Sequence, residues 1–136
     1  MTSGIPPLTP GLEGRYERVV PVEWTLAVYD AGLPAVFSTP AMIGMMEMAA
    51  AHAVQPALPN TALTVGTRIE VDHLRAAPAG ATVVAWAKLV QVDGRFLAFD
   101  VEARNGNEVI GRGRVFRAIV ERARFIQKAA ASSETR

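Results

Sequence analysis

The sequence predicts an α+β domain in which an antiparallel sheet of about five strands packs around one long buried helix. Residues 41–54 are apolar on nearly every side, which is typical of a helix without a solvent-facing stripe. The second half of the chain alternates strand-like runs with tight-turn signals. The 136 residues, 50 % of them hydrophobic, can form one packed core. We therefore expect a single domain over residues 1–136.

The first third of the chain is expected to contain little regular structure. Residues 1–13 include several prolines and glycines and indicate an irregular lead-in. Residues 16–20 alternate loosely and are expected to form a first strand. Thr25 is expected to cap a short helix that ends at Tyr29.

The long helix has a clear predicted start. Thr39 precedes Pro40, and a proline is tolerated in the first helical turn because its missing N–H has no partner there. We therefore expect Thr39 to be the N-cap. The helix is expected to run through residue 54 and to end before Pro56.

Four strands are expected after the helix, over residues 67–75, 81–92, 96–104 and 109–120. The turn signals between them are residues 78–80, Asp93-Gly94 and Asn105-Gly106-Asn107. Because tight turns join antiparallel neighbours, these strands are expected to form a meander in chain order. A short helix over residues 121–128 and a frayed tail over residues 129–136 are expected to follow.

Composition argues against several classes of function. The net charge is +1 and the basic residues are scattered, which is not typical of nucleic-acid or membrane-surface binding. The chain has no cysteine and only two histidines, so thiolate metal sites are excluded and an all-histidine metal site would have to be shared between chains. We expect no metal and no cofactor. The N-terminus does not resemble a signal peptide, and no apolar run is long enough to span a membrane. These features predict a cytoplasmic protein.

Glu47 interrupts the apolar surface of the long helix. A carboxylate is costly to bury without a partner, and the helix has almost no other polar positions that would place Glu47 in solvent. We therefore favour a functional role over a surface position. We also expect the acid to be unpaired, so that its removal leaves the protein folded.

Two further polar residues lie in apolar settings. His73 shares one face of its strand with Ile69 and Val71, whereas Asp72 faces the other side. It is either an acid–base group or a hydrogen-bonded core histidine. Thr39 marks a helix N-terminus, where an oxyanion or a carbonyl oxygen can bind, although capping alone would explain it. The arginines at 112, 114 and 117 indicate a solvated strand face or, less readily, a patch for an acidic ligand.

A single long helix that carries a lone acid within an antiparallel sheet resembles the hot-dog fold of acyl-CoA thioesterases. Residues 36–47 read Val-Phe-Ser-Thr-Pro-Ala-Met-Ile-Gly-Met-Met-Glu and are similar to the start of the helix in the fluoroacetyl-CoA thioesterase family. Residues 64–67, 71–73 and 111–117 also look like segments of that family. The joint spacing of Thr39, Glu47 and His73 is the most specific part of the resemblance.

The resemblance implies an enzyme that hydrolyses a small acyl-CoA, with Thr39, Glu47 and His73 as its catalytic residues. It also implies that Gly66 and Arg117 contact the substrate or its CoA moiety. Fluoroacetyl-selective members have aromatic lid residues before the threonine, whereas residues 30–35 here include none. We therefore expect a different acyl group.

Two other functions remain open. A non-catalytic acyl-CoA-binding protein could share the fold, and so could a hot-dog hydratase or dehydratase. The hydratase would use an Asp and a His on one loop, whereas Asp72 and His73 are expected on opposite faces of a strand.

A homodimer is expected, because one sheet covers only one side of a helix that is apolar nearly all round. Thr39 and Glu47 lie about 12 Å apart along the helix, so their side chains cannot touch. Either His73 bridges them, or a partner subunit brings a second copy close.

Overall fold

The computed structural model describes residues 7–134 as a five-stranded antiparallel sheet packed against one long helix. The elements in chain order are β1 (Glu13–Val19), α1 (Thr39–Val54), β2 (Ala62–His73), β3 (Thr82–Asp93), β4 (Phe96–Asn105), β5 (Glu108–Glu121) and α2 (Arg122–Glu134). The predicted α+β architecture is confirmed. Residues 1–6 of the expected lead-in lie outside the described residues.

The strand order is β1-β3-β4-β5-β2. Strands β3, β4 and β5 form the predicted meander, joined by two-residue turns in which Gly94 and Gly106 have positive φ. The expectation that the strand after α1 pairs with the next strand is wrong: β2 pairs with β5 instead. Its partner is about fifty residues away in sequence, so no turn signal could have identified it. As a result, β2 is an edge strand.

Helix α1 packs mainly over β1 and β3. Its buried face consists of methionine, alanine and valine side chains, and β3 presents the buried Ala85 and Ala87 beneath it. A Cβ at Gly14 in β1 would overlap the backbone of Ala49 and Ala53, so the glycine permits this close approach. The helix consequently lies toward one side of the sheet and leaves its Glu47 side facing β2 and β5.

The segment between β1 and α1 contains two single 3₁₀ turns, Val22–Trp24 and Leu26–Val28, where one short helix was expected. Thr25 lies between them and is fully buried. Its hydroxyl donates to the Val22 carbonyl oxygen at 2.7 Å, so it ends the first turn and does not cap a helix with its side chain. A backbone bridge to Phe37 holds the segment against the start of α1.

Helix α2 is longer than expected. It begins at Arg122 and continues to Glu134, so most of the segment expected to be a frayed tail is helical. Residues 135 and 136 lie outside the described residues. Within the described range, neither α1 nor α2 combines the length and the apolar character that a membrane-spanning helix requires.

Candidate active site

Thr39 is the first residue of α1, and the N-cap is Ser38. The expectation that Thr39 caps the helix is therefore wrong. The Ser38 hydroxyl oxygen accepts from the backbone N–H of Ala41 at 3.3 Å, which is the usual capping contact. Because Ser38 performs this role, the Thr39 hydroxyl remains available for another partner.

That partner is His73, the last residue of β2. Thr39 Oγ1 and His73 Nδ1 lie 2.8 Å apart. The Phe37 ring approaches the imidazole edge-on, with 6.4 Å between ring centroids. Thr39 is exposed and His73 is half-buried, and both line a cavity of about 270 Å³. The predicted proximity of the helix N-terminus to His73 is thus present in a single chain.

Burial lowers the pKa of His73 below its ordinary value of 6.5, because removing the imidazolium from water is costly. The nearby backbone of Arg75 partly offsets this effect. The neutral form of His73 is therefore favoured near neutral pH. A neutral imidazole can accept a proton from a reacting group.

Glu47 lies two turns further along α1 and is not unpaired, contrary to expectation. Its Oε1 atom is 2.8 Å from Nη1 of Arg117, and the two side chains are only 19 % and 7 % exposed. Arg117 is itself held by Thr64 on β2. Nε donates to Thr64 Oγ1 and Nη2 donates to the Thr64 carbonyl oxygen, both at 2.8 Å. Breaking a buried pair of this kind leaves an uncompensated charge, so we now expect removal of Glu47 to destabilise the fold.

Gly66 faces the Glu47 carboxylate. It pairs with Arg117 across the β2–β5 ladder, and a Cβ at this position would overlap Glu47 Oε2. Any other residue would therefore displace the carboxylate or the strand. Because Gly66 has no side chain, the Glu47 carboxylate can lie against β2 while it pairs with the Arg117 guanidinium.

The structure thus divides the predicted site residues into two clusters. We call Thr39 and His73 the hydroxyl cluster, and Glu47, Arg117, Gly66 and Thr64 the carboxylate cluster. They lie at opposite ends of the α1–β2 contact, separated by about 12 Å of helix. The expectation that His73 bridges Thr39 and Glu47 is wrong for a single chain, because no His73–Glu47 contact occurs within residues 7–134.

Two buried side-chain atoms in the described part of the chain have no hydrogen-bond partner: Glu47 Oε1 and His73 Nε2. The Arg117 contact to Oε1 is an ion pair by distance whose angle does not form a hydrogen bond. Unsatisfied buried polar atoms are rare and call for an explanation. Here both belong to residues predicted to move protons. The carboxylate oxygen can accept a hydrogen bond, and the imidazole nitrogen can accept or donate one according to its tautomer.

Sequence reasoning missed the partner of Glu47 and the role of Thr64. A signal for the pairing was present in β5. Arg117 shares a strand face with Val115 and Ile119, both buried, whereas Arg112 and Arg114 lie on the opposite face. A basic residue at a core-facing position requires a buried acid.

The three arginines of β5 therefore lie in two different environments. Arg114 contacts Asp100 at 3.0 Å on the outer face, where both side chains are more than 40 % exposed. Arg112 is exposed as well. The predicted solvated face thus holds for Arg112 and Arg114, and Arg117 alone belongs to the interior.

This fold recurs among solved structures of thioesterases. A thioesterase superfamily member from Thermus thermophilus is 27 % identical and superimposes with a TM-score of 0.86 over 95 % of this chain and 96 % of that one. A single-substitution mutant of the fluoroacetyl-CoA-specific thioesterase FlK, crystallised with fluoroacetate and CoA, is 35 % identical. It gives a TM-score of 0.81 over 87 % of this chain and 99 % of that one. The fold and the site define the protein as a hot-dog thioesterase.

Sequence comparison narrows this class. The profile of the FlK family, described as fluoroacetyl-CoA-specific thioesterase, matches residues 20–123. The fluoroacetyl-CoA thioesterase of Streptantibioticus cattleyicolor is 40 % identical over 98 residues, which are 72 % of this chain and 70 % of that one. The chain therefore belongs to the fluoroacetyl-CoA-specific thioesterase family. The predicted resemblance, the hot-dog fold and the thioesterase class are confirmed.

Proposed function

We propose that the protein hydrolyses the thioester of a small acyl-CoA and that Thr39, Glu47 and His73 form its catalytic set. The observation that carries this proposal is His73 Nε2, a buried atom without a hydrogen-bond partner, on a residue whose other ring nitrogen contacts Thr39 at the start of α1. An unpaired buried polar atom calls for an explanation, and a catalytic role is one. Relatives in the family act on, or were crystallised with, CoA thioesters and their products, which supports acyl-CoA as the substrate class.

In the proposed reaction the thioester carbonyl oxygen lies at the N-terminus of α1. The positive end of the helix dipole stabilises the negative charge that develops there. Glu47 acts in one of two ways. As a general base it removes a proton from water while the water oxygen bonds to the carbonyl carbon. As a nucleophile it forms an anhydride that water then opens.

In the general-base route the carbon–sulfur bond breaks when the tetrahedral intermediate formed by water collapses, and the proton taken from water passes through His73 to the departing thiolate. In the nucleophile route the carbon–sulfur bond breaks as the anhydride forms, and the proton of the water that later opens the anhydride passes through His73 to the thiolate. Both routes give a carboxylic acid and free CoA. Thr39 orients the imidazole through the contact with Nδ1. A neutral His73, favoured by its lowered pKa, can accept and then release this proton.

Arg117 is proposed to act at the acyl end of the substrate by holding Glu47 beside the reacting carbonyl carbon. All three of its nitrogens contact Thr64 or Glu47, so none is left for the CoA phosphates. Gly66 provides the space in which the carboxylate and the carbonyl carbon meet. No metal and no cofactor take part in this mechanism.

We propose that two subunits share each site. The edge strand β2 carries both clusters, with Gly66 toward one end and His73 at the other. Antiparallel pairing reverses strand direction, so two β2 strands whose two-fold axis passes between residues 69 and 70 would bring Gly66 of one copy beside the partner subunit's copy of His73. The hydroxyl cluster of one subunit would then face the carboxylate cluster of the other.

Thiol release from a panel of acyl-CoAs tests the activity, with Glu47→Gln as the variant. We expect the wild type to release CoA from at least one small acyl-CoA and Glu47→Gln to lose at least about 10²-fold. Glutamine keeps the size of the side chain and can still contact Arg117, so the variant should fold. Full activity of Glu47→Gln would contradict the mechanism and favour a non-catalytic acyl-CoA-binding protein.

Subunit mixing tests the shared site. We expect Glu47→Gln and His73→Ala, each inactive alone, to regain about a quarter of the wild-type rate when their subunits exchange at random. Half of the dimers are then mixed, and each mixed dimer has one intact site of two. No recovery, with exchange verified by mass spectrometry, would mean that each subunit contains its whole site.

A further inference from the structure

A larger cavity lies on the opposite side of the first turns of α1. It measures about 490 Å³, and its walls include Ser38 and Pro40, the two neighbours of Thr39. From the helix, Gly44 and Met48 also line it. The cavity therefore begins at the turn where the proposed mechanism holds the thioester carbonyl, and it extends away from the hydroxyl cluster.

The opposite wall is aromatic and acidic. Tyr16, Trp24 and Tyr29 line the cavity together with Glu23. Glu23 is exposed and has no ion pair or hydrogen bond with any residue that the structure describes. Residues 30–35 have no aromatic side chain, but three aromatic residues that precede them in the sequence, Tyr16, Trp24 and Tyr29, line the cavity. They include two of the best cation-binding rings, tryptophan and tyrosine.

Two other charged or titratable groups adjoin this wall. Arg18 stacks over Tyr16, with its guanidinium carbon 4.0 Å from the ring centroid. His52 meets the same ring edge-on at 5.6 Å. Tyr16 thus already holds a cation of the chain on one face. The rings of Trp24 and Tyr29 remain available to bind a ligand. Glu23 is the acidic residue of the cavity wall.

We propose that this cavity receives the acyl part of the substrate and that this acyl part carries a positive charge, as in a short acyl group that ends in an alkylated ammonium. The proposal rests on the proposed thioesterase function. Aromatic faces attract alkylammonium groups through their quadrupoles, and a carboxylate adds an opposite charge. An acyl group with a second carboxylate would instead be repelled by Glu23.

The volume agrees with this assignment. Methionine side chains and a glycine on α1 leave a wall that adapts to a bulky, rounded group. An acetyl or fluoroacetyl group would fill little of 490 Å³. A trimethylammonium group is apolar on its surface and positively charged, and the cavity offers both complements.

A matched pair of substrates tests the charge alone. Trimethylammonioacetyl-CoA and 3,3-dimethylbutanoyl-CoA have the same shape and differ by one nitrogen in place of carbon. We expect the wild type to prefer the charged substrate by at least about tenfold in kcat/KM, within the range of cation–π and charge contacts. Equal kcat/KM values for the pair would overturn the proposal.

Variants locate the effect. Glu23→Gln should reduce the preference to about twofold or less, and Trp24→Leu should also reduce it. Glu17→Gln removes the same charge from an exposed β1 residue that is paired with Arg15, outside the cavity, and should retain the full preference. A preference that survives both Glu23→Gln and Trp24→Leu would place charge recognition elsewhere.

A binding measurement separates this proposal from the thioesterase mechanism. Fluorescence of Trp24 is followed in a Trp86→Phe, Glu47→Gln background, since Trp86 is the other tryptophan of the chain. The charged compound should bind at least about tenfold more tightly than its neutral isostere. Tighter binding of the charged compound, together with no hydrolysis by the wild-type protein, would contradict the thioesterase mechanism and support the cation-binding cavity. Hydrolysis by the wild type, together with equal binding of the two compounds, would support the thioesterase mechanism and contradict the cation-binding cavity.

Discussion

The two clusters differ in how the fold holds them. In the carboxylate cluster every polar contact is internal: Arg117 is 6 % exposed and bonds Thr64 twice, and Glu47 pairs with the guanidinium. In the hydroxyl cluster Thr39 is exposed, and its 2.8 Å contact with His73 lies beside an open cavity. One cluster is therefore part of the core, whereas the other joins an exposed threonine to a half-buried histidine at a helix end. Substitutions in the first should change stability and rate together, and those in the second chiefly the rate.

Glu47 should show the largest effects. Glu47→Ala leaves the Arg117 charge without its partner in a nearly dry environment, and we expect a loss of about 3 kcal/mol in unfolding free energy. Glu47→Gln should lose less than half of that and still lose at least about 10²-fold in kcat. Urea unfolding and thiol release measure the two quantities. Wild-type stability of both variants would show that the ion pair does not hold the core here.

Removal of His73 should affect rate and its pH dependence. Because burial lowers the pKa of His73, wild-type activity should persist below pH 6.5 and fall only as pH drops through the lowered value. His73→Ala should lose activity by about 10²-fold and lack this acidic limb. Since both residues belong to one unit, Glu47→Gln with His73→Ala should lose little more than Glu47→Gln alone.

The lowered pKa of His73 also determines how the free energy of unfolding changes with pH. Above pH 6.5 the imidazole is neutral in both the folded and the unfolded state. As pH falls below 6.5 the unfolded state protonates first, so stability decreases until the folded-state pKa is passed. The His73→Ala variant should show a shallower decrease over this interval. A steeper decrease would mean that the folded state binds the proton more tightly.

Thr64 should have the smallest effect of the three. Thr64→Val removes the hydroxyl that accepts from Arg117 Nε and leaves the carbonyl contact intact. We expect a loss of about 1.5 kcal/mol in stability, typical of a hydrogen bond to a charged group, and a loss of about tenfold in kcat. Thr64→Ser retains the hydroxyl and should recover most of both. Failure of serine to recover activity would assign the effect to packing.

Local patterns predicted most of the fold, and long-range pairing limited the rest. The α1 bounds and three of the four later strands follow from apolar spacing and glycine turns. The placement of β2 beside β5 depends on a register that no local signal encodes. The N-cap was misassigned because Ser38 and Thr39 are adjacent and both suit that position. Their roles separate only when His73 is close enough to occupy the Thr39 hydroxyl.

The residues of the proposed site were singled out from the sequence, but their grouping was not. Thr39, Glu47 and His73 stand out as polar residues in apolar surroundings, a property that the sequence carries. Which of them touch depends on how α1 lies on the sheet, and this depends on small residues such as Gly14. The pairing of Glu47 with Arg117 was open to inference from strand parity. The contribution of Thr64 was not, because nothing distinguishes it from other strand threonines.

The close contact of Gly14 with Ala49 and Ala53 also fixes the distance between α1 and β1 toward the C-terminal end of the helix. Glu47 lies about 3 Å of helix from Ala49, whereas Thr39 lies about 15 Å away. The ion pair with Arg117 therefore lies close to the point where the two backbones touch, and the contact of Thr39 with His73 lies at the far end of the same helix. A side chain at position 14 would consequently act on the buried charges more directly than on the helix N-terminus.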